Sequence, residues 1–235
     1  MAGILYIISA PSGSGKSTLV NELRSIVPNL DFSISYTTRP PRGSEQNGRE
    51  YYFVTRDEFE NMIAEDRFLE HAEVFGNYYG TACRFLDEAK VNGKDLLLDI
   101  DVQGAAQVRK KAPDAVSIFV MPPNKLILER RLRNRSQTDK VDPKVIERRL
   151  ENAQKEIVNY KEYGYILVNE ILEKAVEELK AIVLSERVRR SGKQPTPDES
   201  KLIRLAQGCL LANSHERVRP VMESFQPAAS GTQPR

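Results

Sequence analysis

The chain is poor in the residues that mark several large protein classes. It has two cysteines and two histidines in 235 residues. Cys83 and Cys209 lie far apart and in no metal-ligand spacing, which argues against a structural zinc site and for reduced thiols. His71 and His215 have no nucleophile or ligand partner at a recognisable spacing, so neither a triad nor a metal centre is expected at them. No apolar run approaches the roughly 18 residues that cross a membrane, and no membrane partner is expected. The first apolar stretch, "ILYII", has no basic region before it and no small-residue cleavage site after it. It is not read as an export signal, and a cytoplasmic location is expected. A formal net charge of +2 leaves no broad basic field, so no nucleic-acid partner is expected. The basic run Arg187 to Arg190 reads as a solvated helix end.

What is present reads as an ordinary globular α/β chain, 40% hydrophobic and 29% charged. "ILYIIS" is a short, continuously apolar strand. Leu19, Val20, Leu23, Ile26 and Val27 then recur at helical spacing until Pro28. "FSISY" alternates as a strand, and "EYYFV" reads as another. Thr55 with Glu58 forms a capping box for a helix to about Ala64. "FLEHAEVF" fits helix or strand, and "GNYYG" reads as a turn. A helix from Phe85 to Val91 ends at Asn92-Gly93. "DLLLDID" and "AVSIFV" are inner strands, with a helix from about Gly104 between them. Leu126 to Leu132 is helical and arginine-rich, and Asp142-Pro143 opens a further helix. "YILVN" is a last strand before a long amphipathic helix, Glu170 to Arg190. This alternation predicts a mostly parallel sheet covered by helices on both faces. After Ser191 the composition turns to Pro, Gly, Ser and Gln. Thr196 and Glu199 make a second capping box for a helix over 197–211, with disorder expected beyond it.

The stretch between the first strand and helix carries chemistry. It reads Ala10-Pro11-Ser12-Gly13-Ser14-Gly15-Lys16-Ser17, the G-x-x-x-x-G-K-[ST] phosphate loop with alanine at the first glycine. Gly13 and Gly15 let backbone N–H groups approach an anion at a helix N-terminus. Lys16 would reach the β- and γ-phosphates, and Ser17 would hold Mg²⁺. The loop specifies a bound nucleotide, not the reaction.

Further motifs narrow the reaction. "SAPSGSGKST", "SISYTTRPPRGSEQNGREYYFV", "FLEHAEVFGNYYGT" and "LLLDIDVQGA" occur in order, followed by arginine-bearing helices. The chain resembles guanylate kinases over about residues 3–189. The resemblance implies a P-loop nucleoside-monophosphate kinase fold, with a five-stranded, mostly parallel core sheet flanked by helices. It also implies a core (3–32, 94–125 and 150–189), a small GMP-binding subdomain (33–93), a helical lid (126–149) and a C-terminal extension (190–235). The expected reaction moves the γ-phosphate of ATP to GMP, and to dGMP, with Mg²⁺, in a monomer or small homo-oligomer.

By the same resemblance Arg39 and Arg42 grip the GMP phosphate with forked, charge-assisted hydrogen bonds, and Tyr51 and Tyr79 add phenolic donors. Glu70 and Asp101 accept from guanine N1–H and the exocyclic amine, while Ser35 and Thr81 serve O6. Asp99, two residues before Asp101, falls on the same side of the strand and is assigned to the Mg²⁺ water shell. Asn169 matches the position near the adenine. The attacking phosphate oxygen, with a second pKa near about 6, needs no general base. The obstacle is repulsion between anions, so positive charge is the remedy. Lys16, Arg39, Arg131, Arg135 and Arg149 would supply it.

Two other readings fit part of the pattern. Asp101 to Gly104 matches the D-x-x-G of GTPases, but the guanine-reading N-K-x-D is missing, since Leu126 and Ile127 follow Asn124-Lys125. A non-catalytic binding module of the same shape would be expected to lose the loop lysine and the arginines, which stand here.

Overall fold

The computed structural model describes residues 3–139 and 143–226, and of 135–139 and 143 only the backbone. Strand β1 (Leu5–Ser9) is buried along its whole length. It leads through the glycine-rich loop into α1 (Lys16–Ile26) and on to β2 (Leu30–Phe32). β3 (Tyr36–Thr37), β4 (Tyr52–Phe53), α2 (Arg56–Ala64), β5 (Phe68–Val74) and β6 (Asn77–Ala82) form a second unit. The chain returns through α3 (Arg84–Val91), β7 (Asp95–Asp99), α4 (Val102–Lys111) and β8 (Val116–Met121). Next come α5 (Lys125–Asp139), α6 (Pro143–Ile157), β9 (Tyr165–Val168) and α7 (Leu172–Ser191). α8 (Pro197–Gln207) and α9 (His215–Ser224) follow.

The core sheet has the order β2-β7-β1-β8-β9, with every pair parallel. Its inner strands are apolar at consecutive positions because both faces are covered. Ile7, Leu98, Phe119 and Ile166 pack on one side, and Tyr6, Ile8, Leu97, Ile118 and Leu167 on the other. The crossovers diverge on either side of β1, so a crevice opens at the carboxyl ends of β1, β7 and β9. The phosphate loop, Asp99 to Asp101 and Asn169 therefore converge there. The second sheet, β4-β3-β6-β5, has its own core of Tyr36, Phe59, Met62, Phe68 and Ala82.

Several sequence expectations change. "FSISY" is not one strand: Phe32 ends β2 in the core sheet and Tyr36 opens β3 in the other. "GNYYG" is mostly strand β6. The turn lies at Phe75-Gly76, where φ is 51° and 80°. "FLEHAEVF" settles as β5 because the antiparallel partner β6 is available to it. The capping boxes at Thr55 and Thr196 form as expected, whereas Asp142 lies outside the described residues. Arg187 and Arg190 reach Asp95 and the Asp114 carbonyl, so the basic run is engaged rather than simply solvated.

The largest correction concerns the tail. α8 ends at Gln207, and where disorder was expected α9 folds with Val218 and Val221 buried. The polar composition hid their helical spacing. The long helix α7 is correspondingly buried on more than one face, with Glu178 satisfied by Arg217 at 2.7 Å and Glu186 by the Tyr165 hydroxyl at 2.6 Å. Residues 227–235 lie outside the described part.

Candidate functional site

A cavity of about 690 Å³ opens at the carboxyl end of the core sheet and runs to the second sheet. All eight phosphate-loop residues, Ala10 to Ser17, line it. Gly15 has φ 88°, the left-handed conformation that glycine adopts without strain. A Cβ there would also collide with the Asn169 amide.

Lys16 is already placed. Its ammonium pairs with Asp99 at 2.5 Å and donates to the Ile100 carbonyl at 2.8 Å. Burial opposes its charge, but Asp99 and Asp101 outweigh that and hold its pKa above the ordinary lysine value. Arg131, on α5, donates to the Ser14 carbonyl at 3.3 Å and the Asn169 carbonyl at 3.0 Å. Burial, then Arg130, lowers its pKa. Asn169 is itself buried, and its amide nitrogen donates to the Ser14 carbonyl at 2.8 Å. It lines the cavity, but its amide nitrogen braces the loop.

The cavity is also lined by Ser35, Arg42, Tyr51, Glu70 and Tyr79 from the second sheet and its loops, by Asp99 and Asp101 at and just past the end of β7, and by Arg149 of α6. Tyr51 and Tyr79 meet edge to face at 5.9 Å. Asp101 caps α4, accepting from the Gly104 N–H at 2.8 Å. The D-x-x-G pattern is thus a helix N-cap here. Glu70 is 3% exposed, and burial pushes its carboxyl up to about 7, with Thr81 opposing and Asp101 adding to the rise. Gly104 permits this approach, because any Cβ there would strike Glu70 Oε2.

Two expected residues do not line the cavity. Thr81 is fully buried beside Glu70, its pairing partner on β5. Arg39 is 8% exposed, donates to the Pro40 carbonyl at 2.7 Å and pairs with Glu45 at 3.0 Å. The Arg135 side chain lies outside the described residues.

Sequence reasoning missed Glu45 and Glu156. Glu45 holds Arg39 and also accepts from the Arg42 N–H at 2.8 Å. Its place three residues after Arg42 was the available signal. Glu156 lines the cavity from α6, two turns beyond Arg149 on the same face. Burial and Asp101 push its carboxyl up to about 7, while the Ser12 amide and Lys16 oppose the rise.

This raised value has a consequence for stability. An unfolded glutamate releases its proton near pH 4.5 and the folded one near 7. The folded chain therefore binds more protons across that window, and stability falls as pH rises through it. Glu156→Gln removes the effect. At pH 8 the ligand-free variant is expected to exceed the parent by about 2 kcal/mol, shrinking towards zero at pH 5. Urea titrations at the two pH values measure this, and an equal gain at both would contradict it.

A phosphate loop after the first strand, a five-stranded parallel sheet in this order and a carboxylate-lined second wall define the class: a P-loop nucleotide kinase fold. The guanylate kinase family model matches residues 3–186. A guanylate kinase of Koribacter versatilis is 59% identical over 228 residues, 97% of this chain and 98% of that one. That of Escherichia coli K12 is 48% identical over 205 residues, 86% of this chain and 98% of its own. The crystal structure of guanylate kinase from Anaplasma phagocytophilum superposes with a TM-score of 0.66 at 35% identity, covering 79% of this chain and 86% of that one. The chain belongs to the guanylate kinase family.

Proposed function

We propose a division of labour for the ATP:GMP phosphoryl transfer that this chain carries out as a guanylate kinase. The phosphate loop, residues 10–17, holds the ATP phosphates through its N–H groups and Lys16. Arg42, Tyr51 and Tyr79 hold the GMP phosphate, joined by Arg39 once the incoming anion draws it from Glu45. Glu70 and Asp101 read the guanine donors, with Ser35 at O6, and Thr81, buried beside Glu70, supports that carboxylate from behind rather than meeting the base. Arg131, Arg135 and Arg149 neutralise charge on the transferring group. What supports this reading is that the phosphate loop, the carboxylates Glu70, Asp99 and Asp101, and the lid-helix arginines Arg131 and Arg149 all line one cavity. Helices α5 and α6 run past both bounds of the proposed lid, 126–149, so its motion would bend or tilt whole helices.

Ser17 and Asp99 both line the cavity, and both are hard oxygen donors of the kind Mg²⁺ takes beside phosphates and water. Bound with ATP, the ion supplies charge neutralisation at the phosphates. Lys16, already desolvated, adds charge without reorganisation. Helix closure over the cavity excludes water, limiting hydrolysis of ATP. Both cysteines are free, which supports a reducing, cytoplasmic setting. Among the described residues no helix is long and apolar enough to cross a membrane.

The test is coupled ADP release with ATP and Mg²⁺, comparing GMP, AMP, CMP and UMP. GMP is expected to exceed AMP by about 10⁴-fold in kcat/KM. Comparable use of AMP would overturn the base-reading assignment.

A further inference from the structure

The family match ends at residue 186, yet the described residues beyond it, up to Gln226, are tightly built into the fold. Cys209 accepts from the Ile166 N–H at 2.7 Å, and the Leu211 N–H donates to Gly164 at 2.9 Å, so this segment docks along the β9 edge. Arg217 anchors it to buried Glu178. From there α9 reaches the two arginine-bearing helices. Val218, Val221 and Phe225 share one buried cluster with Leu128 and Leu132 of α5 and with Ile146, Ala153 and Ile157 of α6. Ser224 Oγ accepts from the Lys125 N–H at 3.0 Å, satisfying an N-terminal amide of α5 from outside the helix. The Phe225 carbonyl accepts from Gln154 on α6 at 3.2 Å.

These contacts sit where they have leverage. Arg131 lies between Leu128 and Leu132 on α5, and its guanidinium reaches the Ser14 and Asn169 carbonyls. Arg149 is one turn before Ala153 on α6. A small tilt at either helix root displaces a guanidinium that must meet a phosphate oxygen within hydrogen-bond tolerance.

We propose that Ser224 and Phe225 are positioning residues for phosphoryl transfer, fixing the roots of α5 and α6 so that Arg131 and Arg149 hold one register over the phosphate loop. The inference rests on the roles given above to these arginines.

The experiment uses the full chain with Phe225→Ala, Phe225→Leu and Ser224→Ala, assayed with ATP, GMP and Mg²⁺. Phe225→Ala is expected to lower kcat about tenfold while KM for GMP stays within about twofold, because the monophosphate wall is untouched. Phe225→Leu restores kcat to within about threefold of the parent. Ser224→Ala removes the hydroxyl that accepts from the Lys125 N–H and donates to the Val221 carbonyl, with almost no loss of apolar volume, and costs about threefold in kcat. In an Arg131→Ala background the Phe225→Ala penalty shrinks to about threefold or less, since one of the two groups it positions is gone. A lowered melting temperature with kcat at parity would overturn the proposal, as would an undiminished penalty in the Arg131→Ala background. If Phe225→Ala does not fold, Ser224→Ala decides by the same kinetics. A silent Arg131→Ala would instead sink the arginine's own role, so the two failures are distinguishable.

Discussion

Replacing Lys16 by methionine is expected to lower kcat by about 10³-fold at saturating ATP and GMP. Methionine keeps most of the stem and removes the charge. The parent ammonium sits against Asp99 and the Ile100 carbonyl, so it enters the reaction without needing to be desolvated or steered. Two phosphate anions approaching each other meet that charge in a partly enclosed cavity, where it is worth more than in water. The substitution also strips Asp99 of its cation, and a loss of about 1–3 kcal/mol in stability is expected. Asp99→Asn added to Lys16→Met separates the effects. A neutral amide costs less than a carboxylate when its cation is gone, so stability recovers, while kcat stays low because no positive charge has returned and the carboxylate proposed to hold Mg²⁺ is gone too. ADP release and calorimetry on the single and double variants measure both quantities. Recovery of kcat in the double variant would mean that Lys16 acts only by neutralising Asp99.

Much of this site was legible because its chemistry is local in sequence. The phosphate loop needs glycines at fixed offsets between a strand and a helix, so eight consecutive letters carry it. The parallel sheet was legible for a similar reason: strands buried on both faces read as uninterrupted apolar runs. The second sheet was only partly legible: β3 and β4 have two residues each, and β5 and β6 carry polar residues among their apolar ones. β5 and β6 become strands only by pairing with each other. Asn169 lines the cavity, and its amide nitrogen also serves a carbonyl 155 residues away, a pairing no local pattern encodes. Glu156 was invisible as a site residue because it lies in a surface-like charged stretch, and Glu45 was passed over although its place three residues after Arg42 offered a signal. The ordered tail escaped because α9 has few apolar residues, and the two it buries, Val218 and Val221, join a cluster built largely by α5, α6 and strands from distant sequence.

Glu70→Gln is expected to cost about 10²–10³-fold in kcat/KM for GMP, with little loss for AMP, so that discrimination narrows by the same factor. Guanine presents two donors on the edge to be read. A carboxylate accepts both, whereas the glutamine amide turns one donor against another in a site that is 3% exposed. The substitution preserves shape, and Gly104 keeps the same close approach, so a packing explanation is controlled. A proton gives the independent reading. Without ligand the Glu70 carboxyl titrates at about 7 because burial disfavours its charge. Guanine donors stabilise the ionised form and lower that value, so GMP binding at pH 7 releases about half a proton. KM for GMP should then rise as pH falls from 8 towards 6.5, a range in which the GMP phosphate is already mostly dianionic. Glu70→Gln should flatten that slope and abolish the release, as measured by calorimetry in two buffers of different ionisation enthalpy. Equal release from parent and variant would place the titrating group elsewhere in the cavity. Glu156 would be next in line, since burial raises its carboxyl to the same value.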